Sequence, residues 1–139
     1  MPTNPLIFRH HFPLRVRWGD MDAYGHVNNT LFFQYLESAR IAYIEDVCMA
    51  CLPEMPMVVL ADMHCQFQGQ LHYPAEIVIK SAVTHLGNSS FDLQAQIWQD
   101  TRCCATATAR MVWFDAHKNR PTRIPADVAA AIRAYEEMI

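Results

Sequence analysis

What this chain lacks narrows its class before any motif is read. It has no run of lysine or arginine, and 11 basic residues against 14 acidic ones leave a net charge of −3. Neither a nucleic-acid footprint nor a polybasic membrane anchor is therefore expected. No apolar stretch approaches the ~18 residues of a membrane span, and residues 1–12 lack the basic segment and apolar run of a secretory leader. The five cysteines are an odd number, and Cys103 and Cys104 are adjacent, which suits reduced thiols rather than a disulfide framework. A cytoplasmic protein with no nucleic-acid and no membrane partner is the expectation. Repeats, low-complexity tracts and composition shifts are also missing, so residues 1–139 are expected to fold as one domain.

What is present is a clear change of period. Phe12, Leu14, Val16 and Trp18 alternate with Pro13, Arg15 and Arg17, the pattern of a strand with one buried face. Pro13 lacks a ladder donor and places this strand at an edge. From about Asn29 to Val47, Phe32, Tyr35, Leu36, Ala39, Tyr43 and Val47 recur at three- and four-residue intervals, which predicts a long buried helix. Leu52-Pro53-Glu54-Met55-Pro56 ends it. Four alternating segments follow. The first places Val59, Ala61, Met63, Cys65 and Phe67 on one face, and the last places Cys103, Ala105, Ala107, Ala109, Met111 and Trp113 on one face. The alanine row leaves room for a helix across the sheet. Pro125 is read as the first residue of a short closing helix. Strand, long helix, antiparallel meander and short helix make an α+β domain, a curled sheet wrapped around one central helix. Val58, Leu60, Val78, Val112 and Phe114 are left as apolar candidates for the outer face, so self-association is expected.

The chemistry concentrates in Asp22-Ala23-Tyr24-Gly25-His26-Val27-Asn28-Asn29, between the first strand and the long helix. A carboxylate, an imidazole and two carboxamides stand at a helix mouth, where backbone N–H groups lack intrahelical partners and the dipole is positive. Such a mouth suits acyl chemistry: the carboxylate can attack or activate water, and free amides can receive the charge on a carbonyl oxygen. Gly25 permits the tight bend, and Asn28 or Asn29 is the N-cap.

Competing sites are weaker. Asp20, Asp22 and Gly25 begin like a calcium loop, but Tyr24 and Leu31 stand where its fifth and twelfth ligands belong. One Cys-x-x-Cys, Cys48 to Cys51, has no second pair, and alternation turns His64 and Cys65 to opposite faces. Gly87-Asn88-Ser89-Ser90-Phe91 lacks the second glycine of a nucleophile elbow and joins two strands. Neither a metal nor a cofactor is expected. Glu37 and Arg40 read as a surface pair, and Met49, Met55, Met57 and Met63 as core or lining residues.

In its motifs and their order the chain resembles the hotdog-fold thioesterases of the 4-hydroxybenzoyl-CoA and long-chain acyl-CoA thioesterase group. The resemblance rests on Val16-Arg17-Trp18-Gly19-Asp20-Met21-Asp22, Gly25-His26-Val27-Asn28-Asn29 and Tyr35-Leu36-Glu37-Ser38-Ala39-Arg40. Leu71-His72-Tyr73-Pro74-Ala75-Glu76 and Leu86 to Phe91 support it. It implies a hotdog fold and hydrolysis of an acyl-CoA. Asp22 would be nucleophile or general base, the Asn29 amide would polarise the thioester carbonyl, and His26 would stand beside them. Gly25, Asn28 and Phe32 are expected next to the substrate. Phe32 replaces a tyrosine common in the group; the loop Asn88, Ser89 and Ser90, where some relatives carry basic residues for coenzyme A, is neutral here, and these three are expected to bind substrate through hydroxyls and backbone amides, with Arg120 or Arg123 as charge partners. The resemblance further implies a homodimer, or a tetramer made of two dimers. An acyl-carrier-protein thioesterase and a non-catalytic dimer that binds acyl thioesters are the alternatives.

Overall fold

The computed structural model describes residues 6–138. In chain order the elements are β1 (His10–Val16), α1 (Asn29–Tyr43), β2 (Val58–Phe67), β3 (Ala75–Leu86), β4 (Ser90–Gln99), β5 (Arg102–Asp115), β6 (Arg120–Pro121) and α2 (Ala126–Glu136). A π-helical turn, Ile44–Cys48, and a 3-10 turn, Met49–Cys51, prolong α1 as far as the proline-rich break. The sheet runs β1-β3-β4-β5-β2, with every pairing antiparallel, and β6 adds a short pairing to β5. It curls around α1, which is the hotdog arrangement.

The order differs from a plain four-strand meander. Along the five-strand path β3, β4 and β5 are consecutive neighbours, whereas β2 crosses to the far side of β5. β1 and β2 therefore both lie at the edges of this sheet, and Pro13 on β1, opposite Val78, leaves its missing donor on the open side.

The helix forms where its pattern predicts. Asn28 is the N-cap, its Oδ1 accepting from the Thr30 N–H at 3.0 Å and the Thr30 hydroxyl at 2.9 Å. Phe32, Tyr35, Leu36, Ala39 and Tyr43 are buried along one stripe. Two clusters make the core. One gathers Val16, Val27, Phe32, Tyr35, Leu36, Leu71, Ile77, Ile79 and Ile97 around the start of α1, over Ala95, Ala105 and Ala107. The other gathers Tyr43, Val47, Phe91, Leu93, Trp113, Val128 and Ile132 around its end and α2.

Two bulges correct the alternation read from the sequence. Between Leu60 and Asp62 the β2 register shifts past Ala61. Val58 then stands opposite Trp113 and packs on the core, while Val59 stands opposite Val112. Between Ile97 and Trp98 the β5 partner jumps from Ala105 to Cys103, so Cys104 is the fully buried residue there and Cys103 is not. An extra residue in one strand inverts every side chain beyond it.

Other expectations also change. Trp18 is in a 3-10 turn, Trp18–Asp20, and is 73% exposed. Met55 and Met57 are exposed. Pro125 is the N-cap of α2 rather than its first residue. Arg40 is buried, with Nη1 3.7 Å from Met63 Sδ, and forms no ion pair with Glu37 among the described residues. The sheet curves over that flank of α1 and closes on the arginine.

Candidate active site

From the end of β1 to the start of α1 the backbone makes a closed loop. Met21 and Val27 form an isolated antiparallel bridge, and within it the Asp22 N–H donates to His26 O at 2.8 Å. Gly25 N–H donates back to Asp22 O at 3.1 Å, with Gly25 at φ 81°, a conformation that costs glycine little and other residues more. Asp22 adds a turn of its own, its Oδ1 accepting from the Tyr24 N–H at 2.9 Å. Its Oδ2 meets no protein donor among the described residues. The base of the loop is fastened twice: Asn28 N–H donates to Asp20 O at 3.1 Å and Val27 N–H to Leu71 O at 2.9 Å.

Beneath the loop lies Asp20, 4% exposed. Its Oδ2 accepts from the Tyr35 hydroxyl at 2.6 Å and the Arg17 N–H at 3.0 Å, and Oδ1 lies 3.4 Å from the Arg17 guanidinium. Burial opposes the charge, but the hydrogen bonds from Tyr35 and Arg17 outweigh it and hold the carboxyl below its ordinary range. The same contact, added to burial, raises the Tyr35 phenol above its own.

Above the loop opens a cleft of about 540 Å³, lined by Asp22, Tyr24, His26, Val27, Asn29, Phe32, Phe67, Gly69 and Gln70. Asp22, His26, Asn29 and Phe32, singled out from the sequence, thus come together. As the first residue of α1, Asn29 has an N–H with no intrahelical acceptor, at the positive end of the helix dipole. The His26 ring stands edge-on to His72, centroids 4.9 Å apart. Phe67 packs edge-on against Phe32 and Phe33, at 5.2 and 6.0 Å. One face of the cleft is therefore polar and the other aromatic.

Gly25 and Asn28 shape this site without lining it: one turns the loop, and the other spends its side-chain oxygen capping α1. Asn88, Ser89 and Ser90 lie elsewhere in the chain. Their carbonyls accept from Ile124 at 2.8 Å, Trp113 at 2.7 Å and Gly87 at 2.8 Å, beside the second core cluster and outside the Asp22 cleft of the same chain.

The wall from Phe67 to Gln70 is absent from the site residues that the sequence singles out. It is held by the β5 bulge: Cys104 O accepts from Gln68 N–H at 2.8 Å and Gly69 N–H at 3.0 Å, and Arg102 donates to Gln70 O at 2.8 Å. No local pattern announces that contact. In the sequence Asp20 stands out only as the first position of an incomplete calcium loop and as part of the Val16 to Asp22 motif. A buried tyrosine hydroxyl needs a partner, so Tyr35 in the apolar stripe was the signal that could have found it.

Other chemistry finds less support. Among the described residues no three His, Cys, Asp or Glu side chains are grouped to hold a metal ion. Burial, with Cys51 nearby, pushes the Cys48 thiol up to about 11, which disfavours a thiolate nucleophile. No helix among the described residues is long and apolar enough to cross a membrane.

The family model of the thioesterase-like superfamily matches residues 16–132. The solved PA2801 protein of Pseudomonas aeruginosa is 34% identical, with a TM-score of 0.79 over 88% of this chain and 97% of that one. A Thermus thermophilus thioesterase solved with coenzyme A and zinc is 28% identical, with a TM-score of 0.81 over 91% and 93%. The chloroplastic acyl-acyl carrier protein thioesterase ATL2 of Arabidopsis thaliana is 23% identical over 86% of this chain and 65% of its own. The chain spans 53% to 65% of the length of the curated relatives it matches.

Proposed function

Because the chain belongs to the thioesterase-like superfamily, we propose that its Asp22 cleft hydrolyses acyl-CoA thioesters to the free acid and coenzyme A. Family membership and the hotdog fold support a thioester hydrolase. One observation carries the assignment of the site: the Asp22 carboxylate and the first residue of α1, Asn29, line the same cleft.

The thioester carbonyl oxygen would sit at the Asn29 N–H, where the helix dipole and an amide without an intrahelical partner meet the charge that develops on oxygen. Asp22 uses Oδ1 to hold its own loop and leaves Oδ2 for the reaction. As a general base, Oδ2 takes a proton from water while the water oxygen adds to the carbonyl carbon; the C–S bond then breaks, and the departing thiolate recovers the proton. As a nucleophile, Oδ2 adds to the same carbon, expels the thiolate and forms an anhydride that water later opens. Both routes use the same geometry. His26, on the rim, is placed to bind the substrate or water, and Tyr24, Phe32 and Phe67 would flank the acyl group.

The free edge of β2 supports pairing with a second copy of the chain. Asn88, Ser89 and Ser90, outside the cleft of their own subunit, would then reach coenzyme A bound in the other. Sedimentation at micromolar concentration should give the mass of a dimer or of two dimers; a monomer refutes this part.

The test of activity is thiol release across acetyl, medium-chain, long-chain and aromatic acyl-CoA, with Asp22→Asn in parallel. The variant should lose on the order of 10²-fold or more in kcat and keep its melting temperature. Near-native turnover in Asp22→Asn would remove Asp22 from the mechanism. Similarity to ATL2 over most of this chain favours a second reading, hydrolysis of acyl-carrier-protein thioesters. Equal acyl chains on the two carriers separate them: marked preference for the protein carrier selects the second. Saturable binding without thiol release marks a non-catalytic binder.

A further inference from the structure

Two aspartates two residues apart enter the site, and the structure gives them opposite environments. Asp22 lines the cleft and keeps one carboxylate oxygen free of protein donors among the described residues. Asp20 is buried, lines no part of the cleft, and has both oxygens engaged by Tyr35 and Arg17. A carboxylate so enclosed reaches neither substrate nor water. Its connections show what it does instead.

They run in three directions. Through its side chain Asp20 is tied to Tyr35, in the second turn of α1 and itself buried. Through the same oxygen it holds the Arg17 N–H, the first residue past β1. Through its main-chain oxygen it receives the N–H of Asn28, the N-cap of α1. The loop that carries Asp22 is therefore strung between two points, Asp20 and Asn28, locked to each other at 3.1 Å and to the helix by one phenol. Asn28 in turn sets where the Asn29 N–H points.

We propose that Asp20 and Tyr35 are positioning residues, a buried brace that sets the Asp22 carboxylate against the helix-start amide of Asn29. This rests on the reading of Asp22 as the catalytic carboxylate. The effect follows from geometry: Tyr35 lines no part of the cleft, yet through its hydrogen bond to Asp20 it bears on the separation of the two groups that must meet the thioester from different sides. Displacements well under the length of a bond weaken both, because attack and oxyanion stabilisation depend steeply on distance.

Tyr35→Phe removes one oxygen and keeps the ring that packs the core. In thiol-release kinetics it should lower kcat about tenfold with KM unchanged. In an Asp22→Asn background the same substitution should cause a much smaller further loss, because only the part of its effect that runs through the Asn29 amide remains. A purely structural hydroxyl would instead lower the melting temperature, leave kcat per folded molecule as in the wild type, and act independently of Asp22. Amide hydrogen exchange supplies a readout independent of turnover: the Asp22 and Asn28 amides should lose protection in Tyr35→Phe, while the sheet amides of β4 keep theirs. Should Tyr35→Phe not fold, Asp20→Asn gives the same reading through the other partner.

Unchanged kcat, or equal losses with and without the Asp22 carboxylate, overturns the brace. Absence of thiol release by the wild type on every thioester overturns the proposed function instead. Hydrogen exchange then still decides the inference, since unchanged protection at Asp22 and Asn28 means that Tyr35 does not hold the loop.

Discussion

Tyr35 and Tyr43 lie on one buried face of α1, about two turns apart, and each donates its hydroxyl to a carboxylate, Asp20 at 2.6 Å and Glu136 at 2.7 Å. In the second pair both partners are buried. Glu136 also accepts the Val83 N–H at 2.8 Å, Val128 and Ile132 seal the helix against the core, and the His10 ring, edge-on to Tyr43, meets Asp46 at 2.7 Å. Around the first pair the chain opens: the next carboxylate along, Asp22, is only half buried, and Tyr24 is 86% exposed. The same phenol–carboxylate unit serves stability at one end of the helix and geometry at the other. What differs is the segment each carboxylate belongs to: α2, whose burial completes a core, or a loop whose free groups face solvent.

The contrast can be broken from either end. The largest effect on stability is expected from Glu136→Ala, which strands a buried hydroxyl and a buried N–H; at ~1–3 kcal/mol for each group, urea unfolding should show a loss of roughly 2–6 kcal/mol. Activity per folded molecule should stay near that of the wild type. Glu136→Gln, which keeps an acceptor oxygen, should recover most of the loss. If Glu136→Ala instead abolishes turnover in a protein that still folds, the two ends are not functionally separate.

Tyr43→Phe is the counterpart of Tyr35→Phe at the closed end. It should cost about 1 kcal/mol of stability and leave kcat and KM unchanged, the inverse of the pattern expected at Tyr35. Equal kinetic effects from the two substitutions would erase the distinction.

The smallest effect concerns acid. The Asp20 carboxyl titrates below its ordinary value in the fold, so its contribution is complete above the unfolded value of about 4 and fades as pH falls through the lower folded one. The advantage of the wild type over Asp20→Asn in thermal unfolding should therefore hold at neutral pH and shrink below about pH 4. An advantage that grows with acidity would mean that Asp20 is not held as an anion.

Legibility followed range along the chain. The α1 stripe, its cap at Asn28, the edge strand with Pro13 and the alanine row under the helix were readable because each depends on neighbours in sequence. Asp22, His26 and Asn29 were readable as a cluster because eight consecutive residues carry them to the helix mouth. Trp18, Cys103 and Val58 were misplaced where strict alternation met a 3-10 turn or a bulge. Arg40 was misjudged because its burial depends on Met63, from a distant strand.

By itself the amino-acid sequence determined the periods of the helix and strands, the polar cluster at the start of α1 and the family to which both point, since these follow from side-chain spacing and backbone stereochemistry over a few residues. Only the tertiary structure decided that β2 lies beside β5, that Phe67 to Gln70 wall the cleft, and which of two aspartates is enclosed and which is free. Those outcomes depend on which distant segments meet, and a carboxylate's role is set by the donors that reach it, however far away along the chain they begin.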